Sequence, residues 1–164
     1  MVGVAGLVDT WIAALPGVPA KLQQGVTVAD VGCGDGASTI LLARAYPESR
    51  FWGFDADGTA IRTAGERAVE AGVAERIRFE VAAAHDYPGT SFDLICLFDR
   101  LRTVADPVGA ARHALETLAP DGSWLLVADA VGEPWLHEVA AAAGFSRFRR
   151  AGRTPRDVVL EGKP

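Results

Sequence analysis

Apolar residues in this chain come in short dense runs, separated by longer stretches in which they recur every three or four positions. The runs Val26–Val31, Arg50–Asp55, Ile77–Val81, Phe92–Leu97 and Trp124–Ala128 read as buried strands. Between them, 37–45, 58–71 and 107–118 carry helical spacing, and Gly72 stops the second of these. Asp106-Pro107 is a helix start, because Asp caps the first amides and Pro is tolerated in the first turn. The opening places Val4, Leu7, Val8, Trp11, Ile12 and Leu15 on one helical face and ends at Pro16. Residues 1–24 are therefore expected as an N-terminal helical segment packed on the sheet edge or over a ligand. The tail reads as a helix over 134–143 with Gly144 as its C-cap, then a hairpin of Phe145–Arg150 and Val158–Glu161. Strands alternating with helices imply right-handed crossovers and a parallel sheet covered on both faces.

One junction stands out. Val28-Ala29-Asp30-Val31-Gly32-Cys33-Gly34-Asp35-Gly36 ends the first strand in a glycine turn that leads directly into a helix. Such a turn lets a ligand approach backbone amides. Gly32-x-Gly34-x-x-Ala37 also satisfies the dinucleotide fingerprint, a weak signal by itself. Asp30 and Gly36 separate the two readings. A pyrophosphate on the helix N-terminus would be repelled by a neighbouring carboxylate, whereas S-adenosylmethionine has no phosphate and carries a sulfonium and an ammonium that a carboxylate favours. Asp55 ends the second strand nineteen residues after Gly36, a spacing that suits hydrogen bonds to ribose hydroxyls, while Asp57 is the better cap for the next helix.

The 164 residues are enough for one domain, 1–164, that buries about two-thirds of its unfolded surface. Apolar residues make up 49% and charged residues 23%, as in a folded globular chain. A net charge of −5 argues against a general nucleic-acid partner. Cys33 and Cys96 have neither zinc-ligand nor disulfide-framework spacing, so no metal site is expected and both thiols are read as reduced. No basic leader and no apolar run of about 18 residues is present, which points to the cytoplasm and away from a membrane.

The turn, Phe51-Trp52-Gly53-Phe54-Asp55, Ser91-Phe92-Asp93-Leu94-Ile95-Cys96 and Leu118-Ala119-Pro120-Asp121-Gly122-Ser123 resemble successive motifs of the class I S-adenosylmethionine-dependent methyltransferases, over about residues 26–164. Asp106–His113 and Ala142–Ala151 are similar to bacterial members that carry a winged-helix domain ahead of the catalytic one, a domain not expected here. The resemblance implies a doubly wound, Rossmann-like, mostly parallel seven-stranded α/β sheet with one antiparallel strand supplied by the C-terminal hairpin. It implies S-adenosyl-L-methionine as cofactor, S-adenosyl-L-homocysteine as product, and a small-molecule acceptor. The cofactor-binding set it implies is Asp30, Gly32, Cys33, Gly34, Gly36, Asp55, Ala56, Ala84, His85, Asp86 and Phe98. Two other readings stay open: a core that binds the cofactor with little or no turnover, and an NAD-dependent oxidoreductase. A monomer or weak homodimer is expected.

Ligands of open parallel sheets sit beyond the carboxyl ends of the strands. In the family the loop after strand three holds the adenine through an acid. Here Ala83 takes that place, leaving Asp86 either to substitute or to close a turn before Pro88. After strand four, Arg102 stands where related O-methyltransferases have a histidine base, and an arginine cannot deprotonate an acceptor. Asp99, His85 and His137 are the remaining catalytic candidates, and His113 is expected to be packed or solvated within its helix. The segment 129–134 is shorter than the acceptor-covering insertion of the relatives, so an open site is expected. Arg147, Arg149, Arg150, Arg153 and Arg156 place five cations in ten residues, read as a solvated edge strand rather than an RNA or anion site.

Overall fold

The computed structural model describes residues 4–164, so the first three residues of the N-terminal segment lie outside the described residues. Strands form at Thr27–Val31 (β1), Arg50–Asp55 (β2), Ile77–Val81 (β3), Phe92–Phe98 (β4), Leu118–Asp129 (β5), Arg147–Arg153 (β6) and Asp157–Lys163 (β7). They make one sheet in the order β3-β2-β1-β4-β5-β7-β6. The first five are parallel, and β7 runs antiparallel to both of its neighbours. The strand order reverses at β1, which lies between β2 and β4, so the turn after it opens into the crevice where such sheets bind ligands.

The period of two along each strand divides the core between the two faces. Ala29, Phe54, Ile95, Leu97, Trp124, Leu126 and Leu160 pack with helices Pro107–Thr117 (α4) and Glu133–Ala143 (α5). Val28, Phe51, Leu94, Cys96, Leu125 and Val159 pack with Ala37–Ala45 (α2), Gly58–Glu70 (α3) and the N-terminal segment. Asp57 caps α3 by accepting from the amides of Thr59 and Ala60, and Asp106 caps α4 by accepting from Gly109. Gly144, at φ 105°, closes α5 in the left-handed conformation that favours glycine.

The N-terminal segment differs from the single helix expected. A wide helical turn spans Leu7–Ile12, Pro16-Gly17 breaks it, and a separate helix, α1, covers Val18–Gln24. That helix shows only Val18 and Leu22 as buried apolar signals, too few to mark it in the sequence. The segment lies on a sheet face rather than an edge, with the Trp11 ring centroid 5.3 Å from that of Phe98. Strand β5 begins six residues earlier than expected, because Leu118 already pairs with Phe92 and a register shift accommodates Pro120-Asp121-Gly122. The hairpin strands are also longer, and β7 inserts between β5 and β6.

Candidate functional site

Gly32, Gly34 and Gly36 all have positive φ, at 73°, 57° and 84°. The glycine at 36 has a packing reason: a Cβ there would lie 2.9 Å from both Ala64 Cβ and Phe79 Cζ, so it sets how closely α2 approaches α3 and β3. The turn does not present bare amides. Gly32 and Cys33 both donate to the Phe54 carbonyl, at 2.7 and 3.0 Å, and Gly36 donates to the Cys33 carbonyl at 3.1 Å. Gly34 donates to Asp55 Oδ2 at 2.9 Å. The other Asp55 oxygen accepts from the Asp57 amide at 2.9 Å, which leaves lone pairs on the carboxylate for a further donor.

Two hollows meet over this turn. One, of about 340 Å³, is lined by Gly32, Asp55, Ala56, the run Ala82–His85, and Arg100 with Thr103–Ala105. The other, of about 230 Å³, is lined by Val4, Gly32, Cys33, Ala37, Ser38 and the Phe98–Arg100 corner with Thr103. Gly32, Arg100 and Thr103 form the shared wall. Of the residues singled out in the sequence, Gly32, Cys33, Asp55, Ala56, Ala84, His85, Phe98 and Asp99 thus face a common groove.

The others sit elsewhere. Asp30 is 1% exposed and borders neither hollow. Its Oδ2 accepts from Ser38 Oγ at 2.6 Å and Thr39 Oγ1 at 2.7 Å, tying the end of β1 to the first turn of α2. Burial raises its carboxyl to about 6, an effect partly offset by those two hydroxyls and by the charge of Arg100. Burial likewise pushes the Cys33 thiol well above its ordinary range, helped by the nearby Asp30 and Asp55 charges, so the thiol is not a nucleophile at neutral pH. Asp86 accepts from the Ala83 amide at 3.2 Å and closes a local turn. His137 falls in the second turn of α5. Its Nε2 is 3.6 Å from Glu133 and its ring stands edge-on to Phe148, so it lies against β6 and borders neither hollow. His113 is packed, with Nε2 2.8 Å from the Tyr87 carbonyl and its ring edge-on to Tyr87. Arg102 lies over the Trp135 ring at 5.7 Å and fills the space above Gly132.

Arg100 was missed. It follows Asp99, whose φ of 53° is left-handed and turns the chain sharply at the end of β4. The Arg100 side chain then runs along the glycine turn. A Cβ on Gly32 would be 2.9 Å from Arg100 Cγ, and one on Gly34 would be 3.1 Å from its Nη2. In the sequence it was one of two arginines in a loop, and nothing in the spacing distinguished which of them enters the groove.

Residues 22–145 match the family described as a methyltransferase domain. The chain belongs to that family. Among its relatives, the ubiquinone biosynthesis O-methyltransferase of Ralstonia nicotianae is 38% identical over 101 residues, covering 60% of this chain and 41% of that protein. The trans-aconitate 2-methyltransferase of Afipia carboxidovorans is 30% identical over 125 residues, covering 75% and 46%. An O-methyltransferase family protein from Burkholderia thailandensis shares the fold at a TM-score of 0.79 and 19% identity, covering 98% of this chain and 55% of that one. The matched region of this methyltransferase-domain chain spans less than half the length of the curated relatives it matches. No helix among its described residues is long and apolar enough to cross a membrane.

Proposed function

We propose that this chain binds S-adenosylmethionine and passes its methyl group to a small-molecule acceptor. The observation that carries this reading is the chemistry of the turn. The amides of Gly32, Cys33, Gly34 and Gly36 are already spent on protein acceptors, while Asp55 stands in the wall of the larger hollow. A pyrophosphate would find those four amides taken and the Asp55 carboxylate in the way. A nucleoside with hydroxyls to donate and a positive charge suits the same surface.

The residues present fit such a ligand. Asp55 keeps acceptor capacity for a ribose, and Ala82, Ala83 and Ala84 leave space rather than fill it. With Asp86 turned to Ala83, backbone groups of the loop after β3 are left to hold the base. Gly32, Cys33, Phe98 and Asp99 would border the amino-acid arm. Asp30 would act through its charge rather than by contact. When bound, the cofactor supplies a methyl group on a sulfonium, which a lone pair of the acceptor takes with a thioether left behind and any acceptor proton lost to solvent or a base. The chain's own contribution is then alignment and electrostatics. Arg102, seated on Trp135, accepts no proton, and His137 is engaged with Glu133 and lies against Phe148 of β6. His85 and Asp99 are the titratable candidates that line the groove.

A small-molecule acceptor is supported by relatives named for ubiquinone biosynthesis and for trans-aconitate. A nucleic-acid partner is disfavoured because two of the clustered arginines are paired, Arg149 with Glu161 and Arg150 with Glu133. We place the protein in the cytoplasm, consistent with two buried free thiols. A second reading, a core that holds the cofactor without turnover, is favoured by Arg102, which cannot act as a base, seated on Trp135. Calorimetric titration with S-adenosylmethionine, S-adenosylhomocysteine and NAD tests the first step. Heat with the first two and none with NAD is expected, and the reverse pattern refutes the reading. A mass-spectrometric screen for methylated acceptors then separates the enzyme from the silent core.

A further inference from the structure

Arg100 borders both hollows and a third, much smaller one between Leu97, Arg102 and Leu136, more than any other residue of the site. Among the described residues its guanidinium makes no ion pair, and neither does that of Arg102, two positions on. The carboxylates around them are engaged elsewhere. Asp30 is held by two hydroxyls, Asp55 by two amides, Asp129 by the Gly132 amide and Glu133 by Arg150. Asp99 shares the hollow beside Gly32 with Arg100 and has its own interaction. The Arg100 guanidinium therefore lies along the glycine turn in the wall of the groove, and that of Arg102, held on Trp135, adjoins it across the small third hollow, neither with a side-chain ion pair among the described residues. The left-handed backbone of Asp99, at φ 53°, is what turns Arg100 onto that turn. Guanidinium presents a planar fork of donors that matches an oxyanion bidentately, and both arginines keep that fork open to solvent.

We propose that the methyl acceptor is an anion, a small molecule bearing a carboxylate or phosphate group, and that Arg100 holds that group with Arg102 as the second cation. This rests on the methyltransferase reading above and adds the acceptor's chemical class to it. Arg100 is a specificity-determining residue in this account. It moves no proton and orders no part of the core.

The test is calorimetric and uses the full chain as wild type, Arg100→Gln and Arg100→Lys. Citrate and inorganic phosphate, titrated separately into protein saturated with S-adenosylhomocysteine, report on the oxyanion site and separate carboxylate from phosphate. At least one is expected to bind saturably to the wild type, about tenfold or more weaker to Arg100→Gln, and with intermediate affinity to Arg100→Lys. Neither binding to wild type, or equal binding to Arg100→Gln, overturns the proposal. Titrating S-adenosylhomocysteine and 5′-methylthioadenosine into Arg100→Gln covers the other source of a carboxylate. A loss confined to the former would assign Arg100 to the cofactor's own carboxylate and also overturn the proposal. If S-adenosylhomocysteine fails to bind the wild type, the methyltransferase reading falls by itself. Citrate and phosphate titrated into the free chain then still decide, by the same two criteria, whether Arg100 holds an oxyanion.

Discussion

Replacing Asp30 by asparagine isolates the cost of burying a charge under the glycine turn. The folded carboxyl titrates near 6, against a value of 3.8 for a free aspartate, and the side chain is 1% exposed. Because the folded value is raised, the contribution of Asp30 to stability is fully present below the unfolded value and is lost as pH climbs through the folded one. A shift of about two units corresponds to about 3 kcal/mol, with roughly half already lost by pH 5 and nearly all by pH 7. In Asp30→Asn the amide keeps the shape, and the Ser38 and Thr39 hydroxyls can rotate to accept from it. Urea unfolding of both proteins across pH 4 to 7.5 reads the difference directly. About 2.4 kcal/mol of this falls between pH 4 and 7.5, so with a slope of about 2 kcal/mol/M the variant's midpoint should gain about 1.2 M on the wild type over that range. Whatever constant offset the substitution brings, only the pH-dependent part belongs to Asp30. Parallel midpoint curves for the two proteins would refute the argument and mean that Asp30 is ionised in the fold at little cost.

The same titration predicts that affinity for the cationic S-adenosylmethionine, relative to the uncharged-sulfur product, rises between pH 5 and 7 and is flat in Asp30→Asn, as paired calorimetric titrations would show. Asp55→Ala should weaken S-adenosylhomocysteine binding by about 10- to 150-fold, since charge-assisted hydrogen bonds contribute about 1.5–3 kcal/mol; unchanged affinity would reduce Asp55 to a clamp on Gly34 and Asp57. Gly36→Ala should cost about 3 kcal/mol in urea unfolding, because a Cβ meets Ala64 and Phe79 at 2.9 Å on a left-handed backbone. Acceptors with a ready lone pair, such as thiolates and neutral amines, should be methylated better than neutral phenols; efficient phenol turnover that vanishes in His85→Ala would identify His85 as a base, and loss in His137→Ala would contradict its position against β6, outside both hollows.

Strands and helices were legible where burial is simple. The runs in β1, β2 and β4 are buried on both faces, so their apolar character appears without reference to anything distant. The caps at Asp57 and Asp106 are local and were readable for the same reason. What the chain alone hid is tertiary. Nothing in the run from Val28 to Gly36 tells whether the Asp30 carboxylate points at a ligand or at Ser38 and Thr39, eight and nine residues on. The amides of the turn look free in sequence, because the Phe54 carbonyl that takes two of them belongs to another strand. Arg100 and Arg102 have the same chemistry, and only the left-handed Asp99 between β4 and the loop decides that the first lies on the glycines. The position of β7 beside β5 depends on pairings 28 to 38 residues apart along the chain.

The placement of β7 has a consequence for the order in which the molecule can be assembled during synthesis. Residues 147–153 leave the ribosome before residues 157–163, yet the later strand lies inside the earlier one and supplies Val158, Val159 and Leu160, all fully buried. Until it arrives, β5 carries an unpaired edge along Trp124–Asp129, much of it apolar, and β6 has no neighbour to dock against. The nascent chain thus holds the crevice over the glycine turn nearly complete while the opposite half of the sheet stays open. That interval, rather than the mature fold, is when this protein is most exposed to pairing with another chain.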